Sequence, residues 1–284
     1  MTFPQRATTA EAPVVLAVSS PDGAVIVVDE TPFHPVDHTW PDQPGDTGSV
    51  RIGEERVDVV EAVMAAVSDD GVLAVGGDIP VKRGAEGWTW LVGHRIDTPA
   101  VPAWAAPGAT VVLDVDGARR DALSRGHTGC HLASLALDMA LADLWRKAPG
   151  VDALGSPDFE GRANQISRIH EDGAIDDYRL GKSLRKAGFD TEALAASLVD
   201  REVRINAQLA QWVASGARSV VETDGATIID HRRWRCELPE GEAVIPCGGT
   251  HVSSLAEFSS ISVTLELPTP QLLVMTTTTV AAQS

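Results

Sequence analysis

The chain is poor in cysteine, with three residues among 284, at positions 130, 236 and 247. Three thiols make no even disulfide framework, so a reducing, cytoplasmic setting is the expectation. No run of roughly 18 apolar residues occurs, so no membrane-spanning helix is predicted. Met1 to Glu11 is polar and lacks an apolar signal core, which predicts no export. No ATP-binding signature and no internal repeat is present. Positive charge is also scarce: 23 Lys/Arg stand against 40 Asp/Glu, for a formal net charge of −17, and no Lys or Arg follows Arg235. Phosphate neutralisation supplies much of the affinity of nucleic-acid binders, so this balance excludes a broad basic face and a DNA partner.

The scarce basic residues are concentrated. Between Glu160 and Arg235, twelve Lys/Arg face twelve Asp/Glu. Arg162, Arg168, Arg179, Lys182, Arg185 and Lys186 lie close in sequence, and His231-Arg232-Arg233-Trp234-Arg235 forms a second cluster. Two readings fit: a solvated face of mixed charge, or a local strip for phosphates beside an acidic remainder.

A hydrophobic content of 44% over 284 residues suits one large globular domain or two modest ones. Val14–Val18, Ala24–Asp29, Gly71–Val75 and Thr110–Val115 are short β-branched runs between Gly, Pro and Asp turns, which predicts a β-rich, barrel-like domain over residues 1–118. Thr98 to Pro107 is proline-rich and reads as a connecting loop. From Arg120 to Lys147, Leu132, Leu135, Ala136, Met139, Ala142 and Trp145 recur at helical spacing. Asp190 to Ser215 reads as a second helix, with Asp190 or Thr191 as N-cap and Gly216 as stop. Strands are expected at Ser219–Glu222, Thr227–Ile229 and Ile261–Leu265. The threonine-rich tail from Pro268 fits either a last strand or a frayed end. The fold class expected is α+β, with a two-layer α+β domain over residues 119–284 following the barrel-like one.

Two short words carry chemistry. His127-Thr128-Gly129-Cys130-His131 places two imidazoles at i and i+4, on one face of a helix. Cys247-Gly248-Gly249-Thr250-His251 places a thiolate and an imidazole around a Gly-Gly turn. Cys and His are the ligands Zn²⁺ prefers, so His127, His131, Cys247 and His251 make one candidate zinc site. Four protein ligands suit a closed structural ion; a catalytic one keeps a position open, and the spacing leaves both readings standing. Cys130 points away from its flanking histidines and reads as a small buried side chain, and Cys236 as packing. An alternative in which Cys247 is a nucleophile with His251 as base leaves the first histidine pair idle.

His-Thr-x-x-His opening an apolar helix, followed at a distance by Cys-Gly-Gly-Thr-His-Val, resembles the editing domain of alanyl-tRNA synthetases and the freestanding alanyl-tRNA editing proteins of the AlaX type. It resembles the threonyl-tRNA synthetase editing domain more distantly. Upstream, Asp29-Glu30-Thr31-Pro32-Phe33-His34-Pro35 and Asp42-Gln43-Pro44-Gly45-Asp46-Thr47-Gly48 are similar to the family's Asp-x-Thr-x-Phe-Tyr-Pro and Gln-Pro-x-Asp-x-Gly segment. The resemblance implies a zinc-dependent aminoacyl-tRNA hydrolase, a trans-editing deacylase that guards translation fidelity through weak, salt-sensitive binding of aminoacyl-tRNA. It implies catalytic roles for His127, His131, Cys247 and Thr31, the Thr31 hydroxyl recognising the hydroxyl of a mischarged serine, and substrate contact at Gln43. A threonine before proline in a turn is the plainer account of Thr31.

The chain departs from the family where the family carries Glu-Gly-Gly-Gly-Gln: Val36-Asp37-His38-Thr39-Trp40-Pro41-Asp42-Gln43 is longer and has no glycine. Glycines let backbone approach a ligand, so His38, Trp40 and Pro41 are expected to reshape that pocket wall. With the lysines of the family also missing beyond the Cys-Gly-Gly-Thr-His word, a shifted substrate is expected: serine, threonine, a modified threonine or another unusual hydroxy amino acid on tRNA. Two further classes remain in play, a zinc hydrolase of a small ester or amide and a non-catalytic, zinc-stabilised tRNA-binding module.

Overall fold

The computed structural model describes residues 1–147 and 149–283. It is α+β and divides into two compact units. The first holds Met1–Arg120, Val221–Arg232 and Gly248–Thr250; the second holds Asp121–Val220, Arg233–Cys247 and His251–Ser284.

The first unit is built from β1 (Thr9–Val18), β2 (Val25–Val28), β3 (Gly48–Ile52), β4 (Glu55–Ser68), β5 (Leu73–Val75), β6 (Trp88–Ile96) and β7 (Thr110–Val115). They pair antiparallel in the order β3-β7-β1-β2-β6-β4-β5, and β3 also pairs with β4. That extra pairing brings six strands into a nearly closed barrel, with β5 on its outer edge. Its interior is apolar, from Ala12, Val14, Ile26, Val28, Phe33, Val50, Met64, Val92, Ile96 and Leu113. One ion pair is buried among them. Arg120 donates through Nε to Asp46 Oδ1 at 2.9 Å and through Nη2 to the Pro32 carbonyl at 2.7 Å. The Asp46 carboxylate also accepts the backbone N–H of His34. The two upstream words are therefore tied together by Asp46 and Arg120, a partner that an unpaired buried carboxylate would need.

The second unit is led by α1 (Gly117–Leu141), whose residues from Asp121 onward belong to it. There follow α2 (Glu160–Ala163), β8 (Asn164–His170), β9 (Gly173–Arg179), α3 (Lys182–Ala187), α4 (Thr191–Ala196) and α5 (Leu198–Ser215). The chain ends in β10 (Ser219–Thr223), β11 (Arg232–Leu238), β12 (Gly241–Pro246), β13 (Phe258–Thr269) and β14 (Leu272–Ala281). One sheet runs β13-β14-β9-β8 and a smaller one β10-β11-β12. Leu132, Leu137, Leu141, Tyr178, Ile205, Leu209, Trp212 and Met275 pack the core. Strand β13 is an edge, and α5 covers it: Asn206 donates to the Val263 carbonyl at 3.0 Å and accepts the Val263 N–H at 2.7 Å, while Glu202 accepts the Leu265 N–H at 2.8 Å. Unpaired edge groups invite another strand, and these side chains occupy them.

Several expectations are adjusted. The helix over Asp190–Ser215 is two helices broken at Ser197, with Asp190 capping α4 through the Ala193 N–H at 3.0 Å and Gly216 ending α5 at φ +60°. Thr227–Ile229 is not a strand but a turn held by Asp230, which accepts the Thr227 N–H and hydroxyl at 2.7 Å each. Its Ile228 is buried in the barrel core, which is why the segment is apolar. The threonine-rich tail is β14, an interior strand of its sheet.

Candidate metal centre

Helix α1 carries two glycines inside the His-Thr-x-x-His region, where helix propensity alone disfavours them by about 1 kcal/mol each. Packing accounts for both. A Cβ on Gly126 would lie 2.3 Å from the His170 carbonyl oxygen and 2.6 Å from that of Gly173; one on Gly129 would lie 2.5 Å from Thr279 Cγ2. Bare backbone at these turns lets α1 settle onto β8, β9 and β14, and His127 and His131 stand one helical turn apart with ring centroids 4.9 Å from each other.

The second word comes back to that pair. Cys247, just past β12, has its Sγ 3.4 Å from His127 Nε2 and 3.3 Å from His251 Nε2. The His131 and His251 rings are 5.1 Å apart. One donor atom from each of His127, His131, Cys247 and His251 lies within 4.8 Å of the others. Ligands placed tetrahedrally at roughly 2.0–2.3 Å from an ion are separated by roughly 3.3–3.8 Å, so modest closure accommodates Zn²⁺.

The proton arrangement fits a metal as well. His131 Nε2 is buried without a hydrogen-bond partner among the described residues. Burial lowers the pKa of His131 to about 4, so its ring is neutral and carries a lone pair. His251 is set by Thr128. The Thr128 hydroxyl donates to the Ser124 carbonyl at 2.8 Å, so toward His251 Nδ1, 3.1 Å away, it can only accept. Nδ1 of His251 therefore carries the proton and Nε2 faces Cys247 as a bare lone pair, the second-sphere device that fixes metal-binding imidazoles. Thr128 also accepts the Val252 N–H at 3.2 Å, which anchors the loop beyond His251. Trp234, fully buried, stacks on His131 at 5.2 Å and sends its indole N–H to Ser219 Oγ at 2.8 Å. Cys130 faces away, its Sγ 3.5 Å from an Asp176 carboxylate oxygen, and Cys236 is packed in the core.

Thr31, Gln43, His38 and Trp40 lie in the first unit. Thr31 is buried; its hydroxyl accepts the Phe33 N–H at 3.1 Å and meets His94 Nε2 at 2.8 Å. The Gln43 amide is turned onto Thr250, donating to Oγ1 at 2.9 Å and accepting the N–H at 3.0 Å, so it clamps the residue just before His251 in the chain. His38 stacks on Trp90 at 6.3 Å, and Trp40 is 53% exposed. Three of the clustered basic residues have partners. Arg168 is paired with Asp177 at 2.9 Å, Arg235 with Glu242, and Arg232 lies 5.5 Å above the Phe3 ring. Thr128 and Trp234 hold rings of the cluster, a role that the sequence did not assign to either. Only Thr128, inside the His-Thr-x-x-His word, carried a local signal.

No protein-family model matches the chain. Over 180 residues, 62% of its length, it is 29% identical to an alanine–tRNA ligase of Parafrankia sp. (strain EAN1pec). The chain covers 18% of that protein, so the similarity is to one part of an alanyl-tRNA synthetase.

Proposed function

We propose that the protein is a zinc-dependent aminoacyl-tRNA deacylase acting in trans on the ester of a hydroxy amino acid. The observation that carries the reading is the four-donor cluster of His127, His131, Cys247 and His251, with the proton on His251 Nδ1 and a bare nitrogen on His131. The partial similarity to an alanine–tRNA ligase supports the choice of substrate class. A Zn²⁺ ion held by these residues supplies Lewis acidity toward an ester carbonyl. Deacylation adds the oxygen of water to the ester carbonyl carbon, breaks the bond to the ribose oxygen and returns a proton to that oxygen. The chain's own part is to keep the ligand set in place and to choose the acyl group. Thr128 and Trp234 fix the His251 and His131 rings, and Thr31 offers a hydroxyl to the amino-acid side chain. A site that hydrogen-bonds a substrate hydroxyl rejects the analogue lacking it, because its own polar group would be left unpaired. On this reading alanine is spared and serine or threonine is released. His38 and Trp40, which replace glycines of the resembled segment, reshape the wall that receives the side chain.

The test is a panel of seryl-, glycyl- and alanyl-tRNA(Ala) with threonyl-tRNA(Thr), with and without a zinc chelator. Chelator-sensitive release of a hydroxy amino acid with alanyl-tRNA spared is expected, and His131→Ala or Cys247→Ala should each abolish it. Full activity in either variant overturns the metal-centred mechanism. A second reading, hydrolysis of a small ester or amide, draws on the net charge of −17 and the absence of Lys or Arg after Arg235. Turnover of small esters with no release from any tRNA would select it.

A further inference from the structure

We propose that Glu160, Asn164, Asp176 and Tyr178 form a second cation site, inside the second unit and separate from the His/Cys cluster, that takes a hard divalent ion, Ca²⁺ or Mg²⁺. The site is independent of the deacylase reading. Strand register builds it. Asn164 of β8 pairs with Tyr178 of β9 and Ser167 with Asp176, and the register shifts between Asn164 and Ile166. That bulge brings residues three apart onto one face of β8, the face on which Asp176 and Tyr178 stand on β9. Glu160 comes in from α2. Asn164 donates through Nδ2 to Glu160 Oε1 at 2.9 Å and to Ser167 Oγ at 3.1 Å. The reversed amide would set its oxygen against a carboxylate, so the orientation is fixed and Oδ1 is left over.

Three oxygens share that condition. Asn164 Oδ1, Glu160 Oε2 and Tyr178 Oη are each buried without a hydrogen-bond partner among the described residues. Tyr178 is fully buried and Asp176 is 1% exposed, whereas Glu160, Asn164 and Ser167 are half-buried, so the floor is sealed and the rim reaches the surface. Orphaned polar atoms are rare in protein interiors, and each calls for a partner. These want the same one. An amide oxygen and a carboxylate oxygen only accept, and the phenol faces two carboxyls whose charges, with burial, raise its pKa well above the ordinary value. Arg168, on the same strand, is paired with Asp177 at 2.9 Å. Carboxylate, amide and hydroxyl oxygens are the donors of Ca²⁺ and Mg²⁺, whereas Zn²⁺ favours nitrogen and sulfur. Neutral oxygens on separate elements suit the adaptable shell of Ca²⁺ better than the rigid octahedron of Mg²⁺.

The test uses a property of the sequence: Tyr178 is the chain's one tyrosine, so ¹³Cζ-tyrosine labelling gives a single NMR line that reports this site. The zinc-loaded full chain is titrated with CaCl₂ and, separately, MgCl₂, by NMR and calorimetry. A background of about 0.1 M KCl screens diffuse attraction to the acidic surface. Expected are 1:1 binding with a dissociation constant of roughly 10⁻⁴–10⁻³ M, a saturable shift of the tyrosine line, and tighter binding of Ca²⁺ than of Mg²⁺. Glu160→Gln and Asp176→Asn should each weaken binding by roughly tenfold or more, since each removes a ligand charge. Both variants keep the side-chain shape and relieve a buried charge, so unchanged zinc content and ion-free melts no lower than the parent's show that they fold. Tighter binding of Mg²⁺ supports the site and assigns it to that ion. No 1:1 binding of either ion at roughly 10 mM, binding that leaves the tyrosine line in place, or binding that survives both substitutions overturns the proposal.

Discussion

At the scale of one residue, Thr128 ties three partners through a single hydroxyl: Ser124, His251 and Val252. Being fully buried, it has no water to replace them. Thr128→Val keeps the shape but strips His251 Nδ1 of its acceptor, so the ring loses its reason to present Nε2 to the cluster. Second-sphere partners of this kind are worth about 10–100-fold in metal affinity. The expected outcome is a loss of that size in Zn²⁺ affinity, measured by competition with a chromophoric chelator, with Thr128→Ser recovering most of it. Unchanged affinity in Thr128→Val would separate Thr128 from the metal centre. Residues of this kind also mark what sequence reasoning reaches. The four candidate ligands were legible because ligand chemistry demands particular side chains at particular spacings. Thr128 sat in the same word, yet its role depends on which way one proton points. His94 is a single histidine in β6, and its two partners, the Ile26 carbonyl and the Thr31 hydroxyl, come from distant parts of the chain.

At the scale of elements, the close contacts of α1 and α5 set the second unit. Gly126 is where α1 meets the turn between β8 and β9, and backbone oxygens of His170 and Gly173 leave no space for a methyl group. Gly126→Ala gains helix propensity but forces the helix off the sheet, an overpacking cost of about 1–3 kcal/mol. Chemical denaturation should show a net loss, and a gain would mean the helix is not seated there. Asn206 is the counterpart on the other side. Asn206→Ala strips the Val263 N–H and carbonyl of their partner, for about 1–3 kcal/mol, and frees an edge strand. Lower stability with concentration-dependent aggregation is expected, while zinc affinity stays unchanged. The sequence made α1 readable through its apolar period, and β1, β2 and β7 through β-branched runs. It did not reveal β4, whose 14 residues serve three neighbours and so lack one alternating face. Nor did it decide β14. Thr277 and Thr279 are buried there, and a polar residue becomes a core residue only once the strands beside it are known.

At the scale of the whole molecule, buried groups with displaced pKa values make stability depend on pH. Burial raises Asp176 to about 6, Glu160 to about 7 and Asp138 to about 9, the last two pushed further by neighbouring carboxylates. Burial lowers His34, His94 and His131 to about 4. The signs follow from linkage. A carboxyl whose folded pKa is raised contributes stability below its unfolded value near 4 and loses it as pH rises through the folded one. A histidine whose folded pKa is lowered keeps its contribution above about 6.5 and loses it as pH falls toward 4. Near pH 7.5 the histidines are nearly flat and the carboxyls dominate; the buried Cys236 thiol, raised to about 12, adds to the same slope only toward pH 9. Stability of the chelated protein should therefore fall with rising pH, near pH 7.5 by about one proton, or roughly 1.4 kcal/mol per pH unit. Asp138→Asn isolates the largest part. Asp138 Oδ1 accepts the Phe159 and Glu160 N–H groups at 3.0 and 2.9 Å, bonds that an amide oxygen can keep while having no proton to lose. The variant should match its parent below about pH 4 and exceed it increasingly as pH rises from there toward 9 in thermal melts. The net charge of −17 offers a competing cause, since repulsion among exposed carboxylates also weakens the folded state. Salt separates the two. Exposed charges are screened within about 10 Å at 0.1 M ionic strength, whereas desolvation of a buried carboxyl is not. A slope that survives 0.5 M salt and flattens in Asp138→Asn belongs to the buried acids; one that disappears in salt and persists in the variant belongs to the surface.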